Sequence, residues 1–207
     1  GISTNGCFAE YVKVPEENLH EIPFSFEKGT FVEPLAAAVQ VVKRTSVSLG
    51  ENVLVLGCGR LGLLVLQVMK LQGANVFGFD LDESKLDLAS SLGANIVSPD
   101  QADLPMFDVV VECTGTPHAL NKAIELVKPT GTIALKSTPG LPFEVNMTSV
   151  AQKEIRIQGS RCGPFDVAIP LIREGKVGVE NLISNRFAIE DYKKAFEAGG
   201  IKNIFVI

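Results

Sequence analysis

The sequence predicts an α/β fold in which a doubly wound sheet of parallel strands carries helices on both faces. Short apolar segments of strand length alternate with segments of helical spacing from about residue 49 to residue 160. The strand segments are continuously apolar, as expected for parallel strands that are buried on both faces. Three glycines lie where the first strand segment meets the first helical one. Alternation of this kind builds an open parallel sheet with right-handed crossovers.

The strand segments are short runs of branched and aromatic residues. The first, VLVL, directly precedes the glycines, and the second, within ANVFGFDLD, ends on Asp80. Helical spacing of apolar residues predicts a helix after each of these strands and a third one that begins at Pro117, a residue suited to a first helical turn. The predicted strands cover 53–56, 74–80, 95–97, 107–111, 132–135 and 155–157, and the predicted helices cover 61–71, 84–94 and 117–128.

Two flanks lie outside this alternation. Residues 1 to about 30 are predicted as short strands interrupted by prolines, and 33–47 as a helix. After about residue 159 the pattern predicts helices over 167–174 and 189–198 and a last strand over 204–207. It assigns no element to NLISNRF, which lies between those two helices.

Composition argues against several classes of partner. The 207 residues carry a formal net charge of −5 with only 19 Lys and Arg, which argues against nucleic acid or an anionic membrane as a partner. The longest apolar stretch, 61–68, is too short to span a bilayer, so we expect a cytoplasmic protein. The four cysteines form no CxxC pair, and we expect no metal site built from this chain alone.

The glycines form the pattern G-x-G-x-x-G between a strand and a helix. Gly57 permits the tight turn, Gly59 lets the backbone approach a diphosphate, and Gly62 lets the helix pack closely on the strand. The free N–H groups around Arg60, Leu61 and Gly62, together with the positive helix end, would then face the phosphates. The pattern predicts a dinucleotide site.

Asp80 stands 21 residues after Gly59, at the end of the second predicted strand. A carboxylate there accepts hydrogen bonds from the adenine ribose hydroxyls and repels a 2′-phosphate. Leu81 follows it where an arginine would favour NADP. We therefore expect NAD as the cofactor.

A second cofactor remains an alternative, since LGCGRLG also resembles the first motif of methyltransferases that use S-adenosylmethionine. Their loop usually carries glycine where this chain has Leu61, and here the third glycine is Gly62. The spacing favours the diphosphate, which S-adenosylmethionine lacks.

Several further segments resemble one family. GCFAEYVKVPEENLHEIP, FVEPLAAAVQVV, DVVVECTG, TGTIALKS, EIRIQGS and IKNIFVI are similar, in order and spacing, to the cofactor-binding half of the medium-chain, zinc-containing alcohol and polyol dehydrogenases. The resemblance implies a Rossmann domain over 49–160 with flanking remnants of a GroES-like catalytic domain. Residues 1–48 would end that catalytic domain and link it to the Rossmann domain, and 161–207 would return to it.

The resemblance also implies site residues. The loop Gly57 to Gly62 would bind the pyrophosphate and Asp80 the ribose, with Lys85 close to the same ribose. The backbone of Thr114 and Gly115 would line the cleft, and Ser137 would lie near the nicotinamide.

Two further charged residues in these segments are weaker candidates. Glu33 corresponds to a glutamate that approaches the catalytic zinc in some members, although an acid also suits a helix N-terminus. Lys202 lies in a region where some members of the family place a basic residue toward the diphosphate.

The resemblance implies two hypotheses of different class. Either the chain is the NAD-binding portion of a longer zinc-dependent dehydrogenase acting on an alcohol, polyol or amino alcohol, or it is a self-standing NAD(H)-binding module without chemistry. We expect no catalytic residue and no zinc ligand set in this chain, which begins at Gly1 and has the extent of a fragment. The resemblance also implies a homo-oligomer, a dimer or tetramer, because in this family the last strand of the nucleotide sheet often pairs with its mate in a second subunit. EIRIQGS has the apolar alternation of such an edge.

Overall fold

The central sheet is parallel and has six strands, as the sequence predicts. The computed structural model describes residues 5–98, 104, 106–138, 140 and 142–206, so Gly1 and the last predicted strand residue, Ile207, lie outside the described part. The strands are β1 (Asn52–Leu56), β2 (Asn75–Phe79), β3 (Asn95–Ile96), β4 (Phe107–Glu112), β5 (Val127–Leu135) and β6 (Arg156–Gly159). Their order is β3-β2-β1-β4-β5-β6, and every ladder is parallel.

Helices cover both faces of this sheet. The helices of the described chain are α1 (Phe26–Gly29), α2 (Val32–Thr45), α3 (Arg60–Leu71), α4 (Glu83–Ser91), α5 (Pro117–Leu126), α6 (Met147–Gln152), α7 (Phe165–Arg173) and α8 (Tyr192–Glu197), of which α8 packs on a second, smaller sheet. Val53 and Val55 of β1 pack into the core on the side of α2, α3 and α7. Leu54 and Leu56 pack on the opposite side with Ile124 of α5. The sheet is therefore doubly wound, and the predicted fold class is confirmed.

The strand order reverses between β1 and β4, the two central strands. In such sheets a crevice opens outside the carboxyl ends of the strands where the order reverses, and ligands bind there. The loops that follow β1, β2 and β4 all meet at this crevice, so the fold brings the predicted glycines and Asp80 to one edge.

The prediction of strands in residues 1 to about 30 is wrong for the described part of that segment. Residues 5–30 contain a 3-10 helix, Glu16–Asn18, and the short helix α1, but no strand. A strand needs a neighbour to satisfy its N–H and C=O groups, and residues 5–30 take part in no strand ladder of the described chain. Its apolar side chains are exposed instead, with Phe8 79% and Tyr11 92% accessible. This flank therefore presents apolar side chains at the surface.

The C-terminal flank differs from the prediction in two respects. A second, two-stranded parallel sheet pairs β7 (Asn185–Ala188) with β8 (Asn203–Val206), and β7 begins inside the unassigned NLISNRF. The helix predicted over 189–198 is a 3-10 turn, Ile189–Asp191, followed by α8. Strand β7 could not be predicted from its own residues, because it forms through hydrogen bonds to β8, which lies later in the chain. No helix in the described ranges is both long enough and apolar enough to cross a membrane.

Candidate functional site

The loop after β1 has a geometry that only glycine permits at two positions. Gly57 adopts a φ of +93°, in the left-handed region, and its N–H donates to the carbonyl of Phe79 at 2.8 Å. A Cβ at Gly62 would lie 1.9 Å from the Gly57 carbonyl oxygen. The absence of a side chain at Gly62 therefore lets α3 pack directly against the turn.

Gly59 has a different role, because a Cβ there would meet no described atom within 4 Å. It is the N-cap of α3, and no side chain caps the helix at this end. The first-turn N–H groups of Arg60, Leu61 and Gly62 lack an intrahelical acceptor, and the helix dipole makes this end positive. The space beside Gly59 therefore adjoins backbone donors that suit an anion.

Asp80, which follows β2, faces the same loop. Its Oδ2 accepts the N–H of Cys58 at 2.8 Å, and its Oδ1 accepts the N–H of Asp82 at 3.0 Å. The ammonium of Lys85 lies 3.5 Å from Oδ1. Each carboxylate oxygen has two acceptor positions, so Asp80 keeps capacity for further donors after these contacts.

Cys58 lies inside the loop but has no chemical role there. Its side chain is buried, and burial, followed by the negative charge of Asp80, raises the pKa of the Cys58 thiol to about 12. The thiol is therefore neutral at ordinary pH and acts as a small apolar group.

A cavity of about 550 Å³ opens between these loops. Six predicted site residues line it, and His118 and Lys122 of α5 lie on its far wall. Five other predicted residues do not line it, and these lie in the first turn of α3, in the loop after β4 and in the loop after β5. The lining members are Gly57, Gly59, Asp80, Leu81, Lys85 and Thr114; the others are Arg60, Leu61, Gly62, Gly115 and Ser137.

Glu112, the last residue of β4, is a site residue that sequence analysis misses. Its side chain is 1% exposed, and it accepts hydrogen bonds from Thr114, Gly115 and Ser137. The hydroxyl of Ser137 is therefore directed to Glu112, and so are the N–H groups of Thr114 and Gly115. An acid within the apolar run DVVVEC was the available signal, because a charge in a buried strand requires partners.

Lys136, directly after β5, is a second buried charge that the sequence analysis does not single out. It is 8% exposed, and its ammonium donates to the carbonyl oxygens of Ser160, at 3.2 Å, and Arg161. Burial lowers the pKa of Lys136. These contacts tie the end of β5 to the segment that follows β6.

Lys202 lies within reach of the charges of Arg60, at the start of α3, and of Glu33, in the first turn of α2. The Lys202 ammonium donates to the Thr30 carbonyl at 2.8 Å and lies 4.8 Å from the ring centroid of Phe31. Burial, followed by repulsion from Arg60, lowers the pKa of Lys202 to about 8. Glu33 is exposed in the first turn of α2, where an acid complements the helix dipole.

The described residues do not fit a zinc site. No group of three or more His, Cys, Asp or Glu side chains in the described ranges could hold a metal ion. A catalytic zinc usually takes three protein ligands, so Glu33 would need partners beyond those the described part of this chain provides.

Comparison with known proteins assigns a family. Residues 61–174 match the family model described as zinc-binding dehydrogenase. The chain is 32% identical to L-threonine 3-dehydrogenase of Bacillus licheniformis, over 95% of this chain and 62% of the relative. It is 31% identical to sorbitol dehydrogenase of Halalkalibacterium halodurans, over 96% of this chain and 63% of that relative. The chain thus spans about three fifths of the length of these relatives.

Solved structures agree with this assignment. A candidate zinc-binding dehydrogenase from Sinorhizobium meliloti 1021, bound to NADP, superimposes with a TM-score of 0.88 at 30% identity, covering 98% of this chain and 66% of the other. A short chain alcohol dehydrogenase of E. coli CFT073 was solved in complex with NADH. It superimposes with a TM-score of 0.85 at 27% identity, covering 93% of this chain and 62% of the other. With its family model, strand order and glycine loop in agreement, the chain belongs to the zinc-binding dehydrogenase family.

Proposed function

We propose that this chain binds NAD(H) and is the cofactor-binding part of an oxidoreductase that transfers hydride between NAD and an alcohol, polyol or amino alcohol. The observation that carries the proposal is the position of the Asp80 carboxylate. It lies at the carboxyl end of β2, lines the cavity and has a hydrogen bond to the glycine loop. Asp80 thus lies where it could bind the ribose and also contacts the loop that would bind the diphosphate.

The adenosine half of the cofactor would occupy the cavity between β1, β2 and α5. Asp80 would accept hydrogen bonds from the ribose hydroxyls, and Lys85, already beside Asp80, would border the same ribose. The diphosphate would lie against Gly59 and the first turn of α3. The two solved relatives carry NADH in one case and NADP in the other, so the acid at Asp80 and the apolar Leu81 are the reason to propose NAD here.

The nicotinamide half would lie over the carboxyl ends of β4 and β5. The Rossmann fold consists of two mononucleotide-binding halves, and the second half here comprises β4, β5 and β6. Ser137 would border this half, and the backbone of Thr114 and Gly115 would line the cleft between the two halves. NAD supplies the hydride acceptor, and the residues of this chain supply its orientation.

The substrate class follows from the relatives, which include enzymes named for threonine and sorbitol. Hydride transfer from an alcohol requires a group that stabilises the alkoxide or takes the hydroxyl proton. The described residues supply no zinc site for that task. We therefore propose that the chain by itself binds the cofactor and does not turn over alcohols.

Calorimetric titration tests this function. NADH, NADPH and S-adenosylmethionine are each added to the chain, and binding of NADH in clear preference to the other two is expected. Binding heat with S-adenosylmethionine but with neither NADH nor NADPH would contradict the proposal. A parallel assay with NAD and sorbitol or threonine should show no NADH formation, and turnover by the isolated chain would show that it contains its own catalytic group.

A further inference from the structure

Glu112 is an acidic side chain enclosed on the wall of the proposed cofactor site. Its Oε1 accepts the N–H of Thr114 at 2.7 Å, the hydroxyl of Thr114 at 2.6 Å and the N–H of Gly115 at 3.3 Å. Its Oε2 accepts the hydroxyl of Ser137. One carboxylate thus binds donors from two loops, the one after β4 and the one after β5.

The nature of these donors explains why the acid is tolerated in the interior. No Lys, Arg or His in the described part of the chain lies within 4.0 Å of the Glu112 carboxylate, so N–H and O–H groups satisfy it. Hydrogen bonds to a charged group are about twice as strong as neutral ones. Thr114 and Gly115 are exposed and Ser137 is half-buried, so removing the carboxylate would take away the acceptor that fixes these donors and would free both loops to move.

The loop that Glu112 holds adjoins the diphosphate loop. A Cβ at Gly57 would lie 3.0 Å from the backbone of Cys113 and Thr114, so the two loops are in direct contact. The Thr114 hydroxyl also lies 3.0 Å from that of Thr116, and both threonines line the cavity. The hydrogen bonds therefore run from Ser137 through Glu112 to the cavity wall.

We infer that Glu112 is a positioning residue for the cofactor. It holds the Thr114–Thr116 wall against the glycine loop and holds Ser137 at the other end of the cleft, without touching the cofactor itself. This inference rests on the proposed NAD(H) binding. The Thr114–Thr116 wall borders the cavity proposed for the adenosine half, which also has anchors at Asp80 and Lys85, whereas Ser137 borders the nicotinamide half. The loss of Glu112 therefore weakens NADH through both contacts and ADP through the wall alone.

The test compares NADH with ADP, which lacks the nicotinamide half. Glu112→Ala should weaken NADH about tenfold or more and ADP several-fold less. Glu112→Gln should restore most of the NADH affinity. Its amide oxygen still accepts from Thr114 and Gly115, and its NH₂ group can donate to the Ser137 hydroxyl.

Hydrogen exchange of the free protein gives a second readout. The amides of Thr114 and Gly115 should exchange at least about tenfold faster in Glu112→Ala than in the wild type, because their acceptor is gone. They should remain slow in Glu112→Gln. Ile172→Ala, in the core on the opposite face of the sheet, serves as the control for a general loss of stability. It should lower the unfolding midpoint but change neither NADH affinity nor the exchange of these two amides.

Three results would overturn the inference. They are equal losses of NADH and ADP affinity in Glu112→Ala, a matching loss in Ile172→Ala, or unchanged exchange at Thr114 and Gly115. A wild-type chain that binds neither NADH nor ADP would instead contradict the proposed function, and the exchange measurement would still decide whether Glu112 holds the wall.

Discussion

Asp80 and Glu112 are both acids at the carboxyl ends of strands that flank β1, yet their surroundings give them different tasks. The Asp80 side chain is 13% exposed and lines the cavity, so it can accept further hydrogen bonds from a ligand. Glu112 is 1% exposed, and it accepts hydrogen bonds from Thr114, Gly115 and Ser137. At the residue scale, accessibility separates a side chain that can bind ligand from one that positions the backbone.

Replacement of Asp80 should change cofactor preference. Asp80→Ser removes the acceptor proposed for the ribose hydroxyls and the charge that repels a 2′-phosphate, so NADH should weaken by about ten- to hundredfold and NADPH much less. Calorimetric titration of both cofactors measures the ratio. Asp87→Ser, an exposed acid on α4, is the matched control and should leave both affinities unchanged. Equal losses for the two cofactors in Asp80→Ser would contradict the ribose role.

Lys202 should make stability depend on pH. Burial and the charge of Arg60 lower the pKa of Lys202 from 10.5 to about 8 in the folded chain. Between these values the unfolded chain binds more protons than the folded one, so stability should rise with pH across this window. Below this pH window, Lys202 is charged in both the folded and the unfolded chain, so the full cost of burying the ammonium group reduces stability.

Urea unfolding at pH values on either side of that window measures the effect. Lys202→Met should flatten the rise, whereas Lys193→Met, at an exposed lysine of α8, should leave it intact. The same rise in the wild type and in Lys202→Met would assign the pH dependence to another group.

At the scale of the element, the junction of β1 and α3 separates a glycine required for packing from one that borders open space. Gly62 lies against the Gly57 carbonyl, whereas Gly59 borders the cavity. The strand, the turn and the helix therefore form one rigid unit, and its open side faces the proposed diphosphate position.

Alanine at each position should distinguish the two glycines. Gly62→Ala should cost about 1–3 kcal/mol of unfolding free energy, because its methyl group forces α3 away from the turn. Gly59→Ala should leave stability nearly unchanged and abolish tight NADH binding, because its methyl group would occupy the diphosphate space. Urea unfolding and NADH titration of both variants test this. A stable Gly62→Ala, or a Gly59→Ala that binds normally, would contradict the respective assignment.

At the scale of the whole molecule, two features present surface that suits further contacts. The flanks expose aromatic side chains, among them Phe8 at 79% and Phe196 at 72%. Strand β6 is an edge of the sheet and pairs on one side with β5. An open edge offers N–H and C=O groups for pairing with another strand.

We propose that β6 pairs with its copy in a second subunit to form a homodimer. Ile157, 37% exposed on this edge, should then be buried, and Ile157→Lys should yield a monomer because a charge blocks edge pairing. Light scattering during gel filtration measures the mass. Ile189→Lys, at an isoleucine 43% exposed outside the main sheet, should leave the dimer intact. A wild type that is monomeric at all concentrations would contradict the proposal.

The doubly wound sheet, the glycine turn and the acid after β2 could all be predicted from the sequence, because each depends on local signals. Continuous apolar runs, helical spacing and glycine at positions with a steric requirement act within one strand, turn and helix. Each strand and helix predicted within 49–160 therefore has a counterpart in the structure, although β5 begins at Val127 rather than at residue 132 and the short helix α6 was not predicted.

The contacts of Glu112, Lys136 and Lys202 could be decided only by the tertiary structure, since their partners lie on other elements. Glu112, at the end of β4, accepts a hydrogen bond from Ser137 after the neighbouring strand β5. Lys202 donates to Thr30, which lies near the opposite end of the chain. The N-terminal flank fails as a strand prediction for the same reason, because a strand requires a hydrogen-bonding neighbour that its own residues do not specify. Local signals therefore suffice for the sheet and for the loop that we propose binds the cofactor, whereas long-range packing sets the partners of the charged side chains.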